Sequence, residues 1–265
     1  MIRLLLFILI SPVIFASQCD LANPVDNCFI TPSGVKERYL MIGLCEGRPQ
    51  LPTIEQPFDY ANCEIIYDQR GEAGTVVEWT EADQHVDISS NILIPADGIY
   101  NHLFIIVDTD AWVKFDVEFS RPQKTYTDTG GVTQGRFCRS VDDQILTWGP
   151  GVRAAAYECS SERKPATYSY YQIWDPDGID SSYCDSWAGH YVNSSLYLET
   201  QSVVNALGYL AVASIPPVTV DDSKTELTVD FKFDELFRLD IDTSPDNTGW
   251  FFPYPVCPSI LVDVR

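Results

Sequence analysis

The chain has 265 residues and a large excess of acid, with 38 aspartates and glutamates against 17 lysines and arginines and a formal net charge of −21. Repulsion from phosphate groups makes nucleic acid and anionic membrane surfaces unfavourable partners, so we expect no nucleic-acid partner. Such acidity fits solubility in a salty exterior, where dissolved ions screen the repulsion between like charges.

The first residues have the pattern of a signal peptide. Arg3 is followed by an apolar run from Leu4 to Ala16, and polar residues begin at Ser17. The run is too short for a membrane span of about 20 residues, and no later stretch approaches that length. We expect cleavage after Ala16, which assigns residues 1–16 to the leader. The mature protein is then secreted or at the cell surface, or periplasmic if the host is a diderm bacterium.

Eight cysteines lie beyond the leader, and in an exported chain their even number predicts up to four disulfides and no free thiol. The absence of any C-x-x-C pair disfavours zinc. Local closure favours Cys19 with Cys28 and Cys45 with Cys63, and the pairing of the other four stays open. The eight are Cys19, Cys28, Cys45, Cys63, Cys138, Cys159, Cys184 and Cys257.

Strict alternation of apolar and polar residues predicts β-strands, most clearly in "AWVKFDVEF" (111–119) and "LTVDFKF" (227–233). The run 99–107 precedes the first of these across Asp108-Thr109-Asp110, which predicts a short-looped hairpin. Many short strands separated by turn residues indicate an all-β, disulfide-stabilised β-sandwich with Greek-key or jelly-roll connections. Further strands are expected at 37–44, 64–67, 75–80, 86–89, 154–158, 168–174, 192–199, 209–214 and 260–264, and the best helix candidate is 195–208.

Two structural units follow the leader. Residues 17–34 are polar and turn-rich, and we expect a peripheral N-terminal arm that docks on a sheet edge of its own domain or of a neighbouring subunit. Residues 35–265 form a single β-sandwich domain. The likeness of "VKFDVEF" to "LTVDFKF" leaves open a division of this domain into two related halves.

Linear catalytic motifs are absent: the chain has no nucleophile elbow, no H-E-x-x-H and no P-loop. Its three histidines, His85, His102 and His190, stand far apart, and the first two fall at strand positions where a half-exposed side chain is the ordinary outcome. Serine–histidine triads assemble across a fold, and no sequence signal points to one here. Pairs of carboxylates carry little information in so acidic a chain.

The segment 168–187, "YSYYQIWDPDGIDSSYCDSW", combines six aromatic residues with four aspartates. Alternation predicts a strand over 168–174 whose tyrosines pack mainly into the core. The candidates for an exposed aromatic platform that stacks on a sugar ring are Tyr171, Trp174 and Trp187.

The same segment contains a candidate calcium loop. Asp175, Asp177 and Asp180 place carboxylate oxygens at alternate positions around a glycine, as a chain that wraps calcium does. However, Ile173 and Cys184 stand where an EF-hand has its first and twelfth ligands. We therefore expect a solvent-facing turn with at most weak calcium affinity, followed by a loop that a disulfide of Cys184 holds.

These features predict an exported, acidic, non-enzymatic extracellular or cell-surface protein. It would act as a structural subunit or as an adhesion or binding module, through self-association or a cell-surface or glycan partner. The alternative is a secreted carbohydrate-binding module or carbohydrate-active enzyme on a jelly roll, which exposed aromatic residues in line with two carboxylates would favour. No cofactor is expected with certainty, and calcium is the one candidate.

Overall fold

A computed structural model describes residues 28–30, 32–70, 75–80, 92–126, 132–142, 146–148, 152–154, 156–172, 187–198, 206–232, 237–239, 253–255 and 259–265. These residues form an all-β protein, as predicted, with no helix among them. Within this part of the chain, therefore, no helix is long and apolar enough to span a membrane. The strands are β1 (Cys28–Ile30), β2 (Gly34–Cys45), β3 (Cys63–Asp68), β4 (Thr75–Trp79), β5 (Gly98–Lys114), β6 (Asp116–Tyr126), β7 (Val132–Ser140), β8 (Leu146–Trp148), β9 (Val152–Ala154), β10 (Tyr157–Ser160), β11 (Ser169–Gln172), β12 (Trp187–Val192), β13 (Gly208–Val220), β14 (Leu227–Lys232), β15 (Phe237–Leu239), β16 (Pro253–Pro255) and β17 (Ser259–Val264).

Strand β5 is the centre of the largest sheet, which has seven strands. On one edge β5 pairs with β2 along almost its whole length. On the other edge β13 pairs with its first part and β11 with its last part. The outer edge of β2 is divided in the same way between β3 and β4. All these pairings are antiparallel, and β12 completes the sheet beyond β13, so β5 and β2 form its centre.

The hairpin predicted at Asp108-Thr109-Asp110 is wrong, because β5 runs through these residues as one strand of 17 residues. Strand β2 places the single residue Arg38 opposite the three residues 108–110, so the ladder shifts register there. The Asp108 carboxylate accepts a hydrogen bond from the backbone N–H of Asp110 at 3.1 Å. Aspartate supplies such a local acceptor in bulges as well as in turns, which is why the sequence indicated a turn.

The chain changes sheets at Phe115, the single residue between β5 and β6. Strand β6 belongs to a three-stranded sheet with β7 and β10. The buried Ser140 hydroxyl stabilises the change of sheet, since it accepts a hydrogen bond from the Phe115 N–H at 3.0 Å and donates one to the Thr167 carbonyl at 2.6 Å. The predicted alternation of burial continues across this point and is confirmed for Ala111, Val113, Phe115, Val117 and Phe119.

Two hydrophobic clusters lie on opposite faces of the large sheet. In β2, Ile42 belongs to the larger cluster and its neighbour Met41 to the smaller one. The larger cluster also takes residues from β6, β7, β10, β14 and β17, so it joins the large sheet to these strands. The smaller cluster includes Leu196 and Phe58, whose ring packs edge-on against Phe104 at 4.9 Å between centroids.

Two disulfides each join residues that are directly opposite on neighbouring antiparallel strands. The predicted pair Cys45–Cys63 is confirmed, with 3.9 Å between Cα atoms, and it links β2 to β3. Cys138–Cys159 links β7 to β10, with 4.0 Å between Cα atoms. No free cysteine occurs among the described residues. Outside them lie Cys19, Cys184 and Cys257, and the side chain of Cys28 is not described either.

The strand predicted over 192–199 lies earlier in the chain, over Trp187–Val192, and the helix predicted over 195–208 does not begin at Ser195. Strand β12 ends at Val192, and the Asn193 carboxamide oxygen then accepts a hydrogen bond from the Ser195 N–H at 2.9 Å. Leu196 follows with a φ of 62°. This turn, which an asparagine side chain stabilises, ends the strand earlier than predicted and replaces the start of the expected helix. Residues 199–205 and the strand expected at 86–89 lie outside the described residues.

The part of the N-terminal arm that the structure describes lies on its own chain. Strand β1 pairs with β15 antiparallel, and β15 pairs in turn with β16. The Ser33 N–H then donates to the Lys114 carbonyl at 2.8 Å, which ties the end of the arm to β5. Residues 1–27, with the expected leader, lie outside the described residues.

Because Ser140 stabilises the change of sheet at Phe115, we expect Ser140→Ala to destabilise the folded protein. The substitution leaves the buried Phe115 N–H without its acceptor, and an unsatisfied buried backbone group costs about 1–3 kcal/mol. We expect the free energy of unfolding, measured with urea, to fall by that amount. Ser33→Ala removes an exposed hydroxyl bonded to the Lys114 carbonyl, and the expected change is below about 0.5 kcal/mol. Equal effects of the two substitutions would contradict this role of Ser140.

Candidate functional site

One row of side chains crosses four strands of the large sheet on the face opposite the larger hydrophobic cluster. Glu78 of β4 opposes Lys36 of β2, Lys36 opposes Trp112 of β5, and Trp112 opposes Tyr170 of β11. Directly opposite residues on antiparallel strands point to the same side of a sheet. We call this surface the polar–aromatic face; it comprises Lys36, Arg38, Glu78, Asp108, Asp110, Trp112, Lys114, Tyr168 and Tyr170.

The bulge in β5 supplies the acidic centre of the polar–aromatic face. The Arg38 guanidinium donates from Nη1 to the Asp108 carboxylate at 3.0 Å. The Tyr170 hydroxyl donates to the Asp110 carboxylate, and the Tyr170 ring packs edge-on against Trp112 with 5.8 Å between centroids. Nε of Arg38 is buried and has no hydrogen-bond partner among the described residues. The bulge therefore pairs two carboxylates with an arginine and a tyrosine.

Tyr168 closes one end of the polar–aromatic face. Its hydroxyl donates to the Glu78 carboxylate at 2.8 Å, and Nζ of Lys36 lies 4.0 Å from the centroid of its ring. Burial is the largest cause that raises the pKa of Tyr168, and the bond to Glu78 acts in the same direction. Lys36 also forms an ion pair with Glu78 at 3.6 Å. The charges of this face thus neutralise one another, unlike those of the acidic chain as a whole.

Glu37 lies on the opposite side of β2, among apolar neighbours. It is directly opposite Val77 of β4 and Ala111 of β5. The Tyr39 hydroxyl donates to its carboxylate at 3.2 Å, which favours the charged form. Burial outweighs this bond and raises the pKa of Glu37 from 4.5 to about 7. The Glu37 carboxyl therefore changes charge near neutral pH.

The residues proposed from segment 168–187 are only partly within the described structure. The expectation that its tyrosines pack mainly into the core is wrong for Tyr168 and Tyr170, which are half-exposed, while Ser169 between them is buried. Tyr171 lies in β11 and Trp187 in β12, and their side chains are not described. Outside the described residues lie Trp174, Asp175, Asp177 and Asp180.

Among the described residues, neither the candidate metal ligands nor the histidines form a cluster that indicates a metal site. No group of three or more histidine, cysteine, aspartate or glutamate side chains that could hold a metal ion occurs in the described ranges. His102 is a half-exposed residue of β5, as predicted. His190 lies in β12 without a described side chain, and His85 is outside the described residues.

Sequence reasoning missed the central residues of the polar–aromatic face. Trp112 was on the polar side of the alternating run 111–119, and a tryptophan at such a position was the signal that could have identified it. Asp108 and Asp110 have the sequence pattern of a turn, which hides their place on this face. Arg38 carried no signal, because only the register between β2 and β5 brings it to the bulge.

Comparisons of the chain with models of known protein families, with curated proteins and with solved structures gave no match.

Glu37 predicts a pH dependence of stability. Because its pKa is raised in the folded chain, the folded state binds the proton more tightly than the unfolded state does between pH 4.5 and about 7. The stabilising contribution of the protonated form is complete below pH 4.5 and is lost as the pH rises through 7. Glu37→Gln should remove this loss, so the variant should gain stability over the original protein by roughly 3 kcal/mol between pH 4.5 and 8.

Chemical denaturation of both proteins across this pH range measures the difference directly, because other carboxyl groups contribute equally to the two curves. Parallel curves for the two proteins would show that the Glu37 carboxyl is not desolvated.

Proposed function

We propose that the protein is an exported, acidic extracellular or cell-surface β-protein that acts as an adhesion or binding module or a structural subunit, with the polar–aromatic face as its contact surface. The observation that supports this most is the row of Glu78, Lys36, Trp112 and Tyr170 across four neighbouring strands. A row of this kind combines tryptophan and tyrosine rings with paired charged groups, and such aromatic residues are enriched in the hot spots of binding interfaces.

The disulfides and the net charge support a location outside the cytoplasm. Two cross-strand disulfides fit an oxidising environment outside the cytoplasm. A net charge of −21 keeps such a protein soluble, whereas the polar–aromatic face carries equal numbers of cationic and anionic groups. A partner therefore meets little repulsion at this face even if it is itself acidic.

A β-sandwich with Greek-key or jelly-roll connections is the architecture we propose for the whole chain. The larger hydrophobic cluster supports it, since residues of the seven-stranded sheet share this cluster with strands of two smaller sheets. Face-to-face packing of two sheets around one core is the arrangement that defines a sandwich.

A carbohydrate ligand is the second candidate, and the contact between Trp112 and Tyr170 favours it. The Tyr170 hydroxyl bonds to the Asp110 carboxylate, and the Arg38–Asp108 ion pair lies at the same bulge. Aromatic surface packs against the C–H groups of a sugar ring. The adjacent charged groups accept hydrogen bonds from its hydroxyls or donate hydrogen bonds to them. Weak calcium binding by Asp175, Asp177 and Asp180 stays a prediction from the sequence.

The contact surface is tested by Trp112→Ala. Removal of a central tryptophan from a binding surface costs about 2 kcal/mol or more, which is roughly a 30-fold loss of affinity. We expect that loss in one of two assays: retention on insoluble cellulose, chitin and alginate, or self-association measured by sedimentation equilibrium. Loss of retention supports the carbohydrate ligand, and loss of self-association supports the structural subunit.

Phe137→Ala is the matched control, since Phe137 is a half-exposed aromatic residue of β7, in the three-stranded sheet, under the guanidinium of Arg163. It should leave both assays unchanged. If Trp112→Ala behaves like Phe137→Ala in both, the polar–aromatic face is not the contact surface.

A further inference from the structure

Near the start of β5, hydrogen-bond contacts connect a serine, a histidine and an asparagine in a row. Ser214 of β13 lies directly opposite His102 of β5. Its hydroxyl oxygen is 3.3 Å from Nε2 of His102, and Nδ1 of the same ring is 2.6 Å from the carboxamide oxygen of Asn101. A nucleophile, a base and an orienting group follow this order in serine hydrolases.

The Asn101 contact determines the tautomer of His102. A carboxamide oxygen only accepts hydrogen bonds, so the proton of the neutral ring is on Nδ1. The lone pair on Nε2 then points to the Ser214 hydroxyl, which donates its proton to it. This is the form in which a histidine takes a proton from a serine during attack on a carbonyl.

The surroundings keep His102 neutral. Partial burial is the larger cause that lowers the pKa of His102, and the positive charge of Arg48 adds to it. The ring is therefore unprotonated and able to act as a base at neutral pH. The same Arg48 charge favours the negative charge that develops on a carbonyl oxygen when a nucleophile attacks near the ring.

Ser214 is both exposed and held in place. It is the last residue of β13 before the register shift that precedes Val218, and the bulged segment contains Pro216 and Pro217. Proline has a fixed φ and no N–H, so this segment cannot continue the ladder and limits the movement of the strand. Because Ser214 is exposed, small esters can reach its hydroxyl from solvent.

We propose that Ser214 and His102 catalyse acyl transfer from small activated esters to water, with Asn101 as the positioning residue. The Ser214 oxygen forms a bond to the ester carbonyl carbon while its proton passes to Nε2 of His102. The carbon–oxygen bond to the alcohol breaks, and the alcohol leaves with that proton. Water then attacks the acyl-serine with His102 again as base, which releases the acid and restores the serine.

This activity goes beyond the proposed binding role and is independent of it. His102 and Trp112 are ten residues apart on β5, which corresponds to about 30 Å along an extended strand. Each proposal is therefore tested at its own site, and failure of one leaves the other standing. The competing explanation is that Ser214 and His102 form an ordinary solvated pair between neighbouring strands, in which the serine has no unusual reactivity.

Covalent labelling distinguishes these explanations. The full chain with its disulfides is incubated with a fluorophosphonate at pH 7.5, and the intact mass and tryptic peptides are measured. We expect one adduct per chain, on Ser214, and none with Ser214→Ala. His102→Gln should slow labelling by 100-fold or more, in line with the loss of a general base. The exposed Ser223 provides the matched control, and Ser223→Ala should label like the original protein.

Hydrolysis of p-nitrophenyl acetate supplies the second readout. The rate should fall to that of free imidazole in Ser214→Ala, and the original protein should release a burst of p-nitrophenol. Asn101→Asp places a negative charge beside Nδ1, so the acid limb of the pH–rate profile should move to higher pH. An unlabelled original protein, or equal labelling of Ser214→Ala, overturns the proposal.

Discussion

The antiparallel pairing of β2 with both halves of β5 is the interaction on which the rest of the structure depends. Because one strand of 17 residues spans the sheet, β13 and β11 are aligned on its free edge, and β3 and β4 are aligned beyond β2. The bulge at Asp108–Asp110 lets this long ladder change register without breaking. At Phe115 the same chain enters the second sheet. There the Ser140 hydroxyl accepts the hydrogen bond of the Phe115 N–H, in place of a carbonyl of a neighbouring strand.

The continuity of β5 also decides where polar groups meet. Near its end, the row through Trp112 combines rings with paired charges, and the bulge adds Asp108 and Asp110 on the same side. Near its start, His102 meets Ser214 across the ladder. The larger hydrophobic cluster lies behind the first of these sites, and Glu37 is the one side chain of β2 that brings a carboxyl into that cluster. Desolvation by this core explains its raised pKa.

Local patterns predicted much of the fold. Alternation identified the buried side of 111–119 correctly, because burial of every second residue is a property of the strand itself. Sequence proximity was enough for Cys45–Cys63. The hairpin failed because an Asp-Thr-Asp segment satisfies a bulge as well as a turn, and only the partner strand distinguishes them. Tyr168 and Tyr170 were misassigned because the buried side of β11 carries Ser169, a polar residue whose hydroxyl accepts a hydrogen bond from the buried Ala156 N–H.

The candidate sites were less predictable than the fold for a related reason. Ser214 and His102 are separated by 112 residues, and Arg38 meets Asp108 across 70. Such contacts depend on strand register, which a single sequence does not specify. The polar–aromatic face had one local signal, a tryptophan on the polar side of an alternating run, whereas the serine and histidine had none.

The continuity of β5 is tested most directly by interstrand nuclear Overhauser contacts in the isotopically labelled protein. One continuous strand predicts contacts from β2 to both ends of β5, between Leu44 and Leu103 and between Val35 and Val113. A hairpin centred on Thr109 predicts contacts within the segment instead, such as Ile105 with Val113. Observation of the first pair of contacts supports the account, and observation of the Ile105–Val113 contact in their place would contradict it.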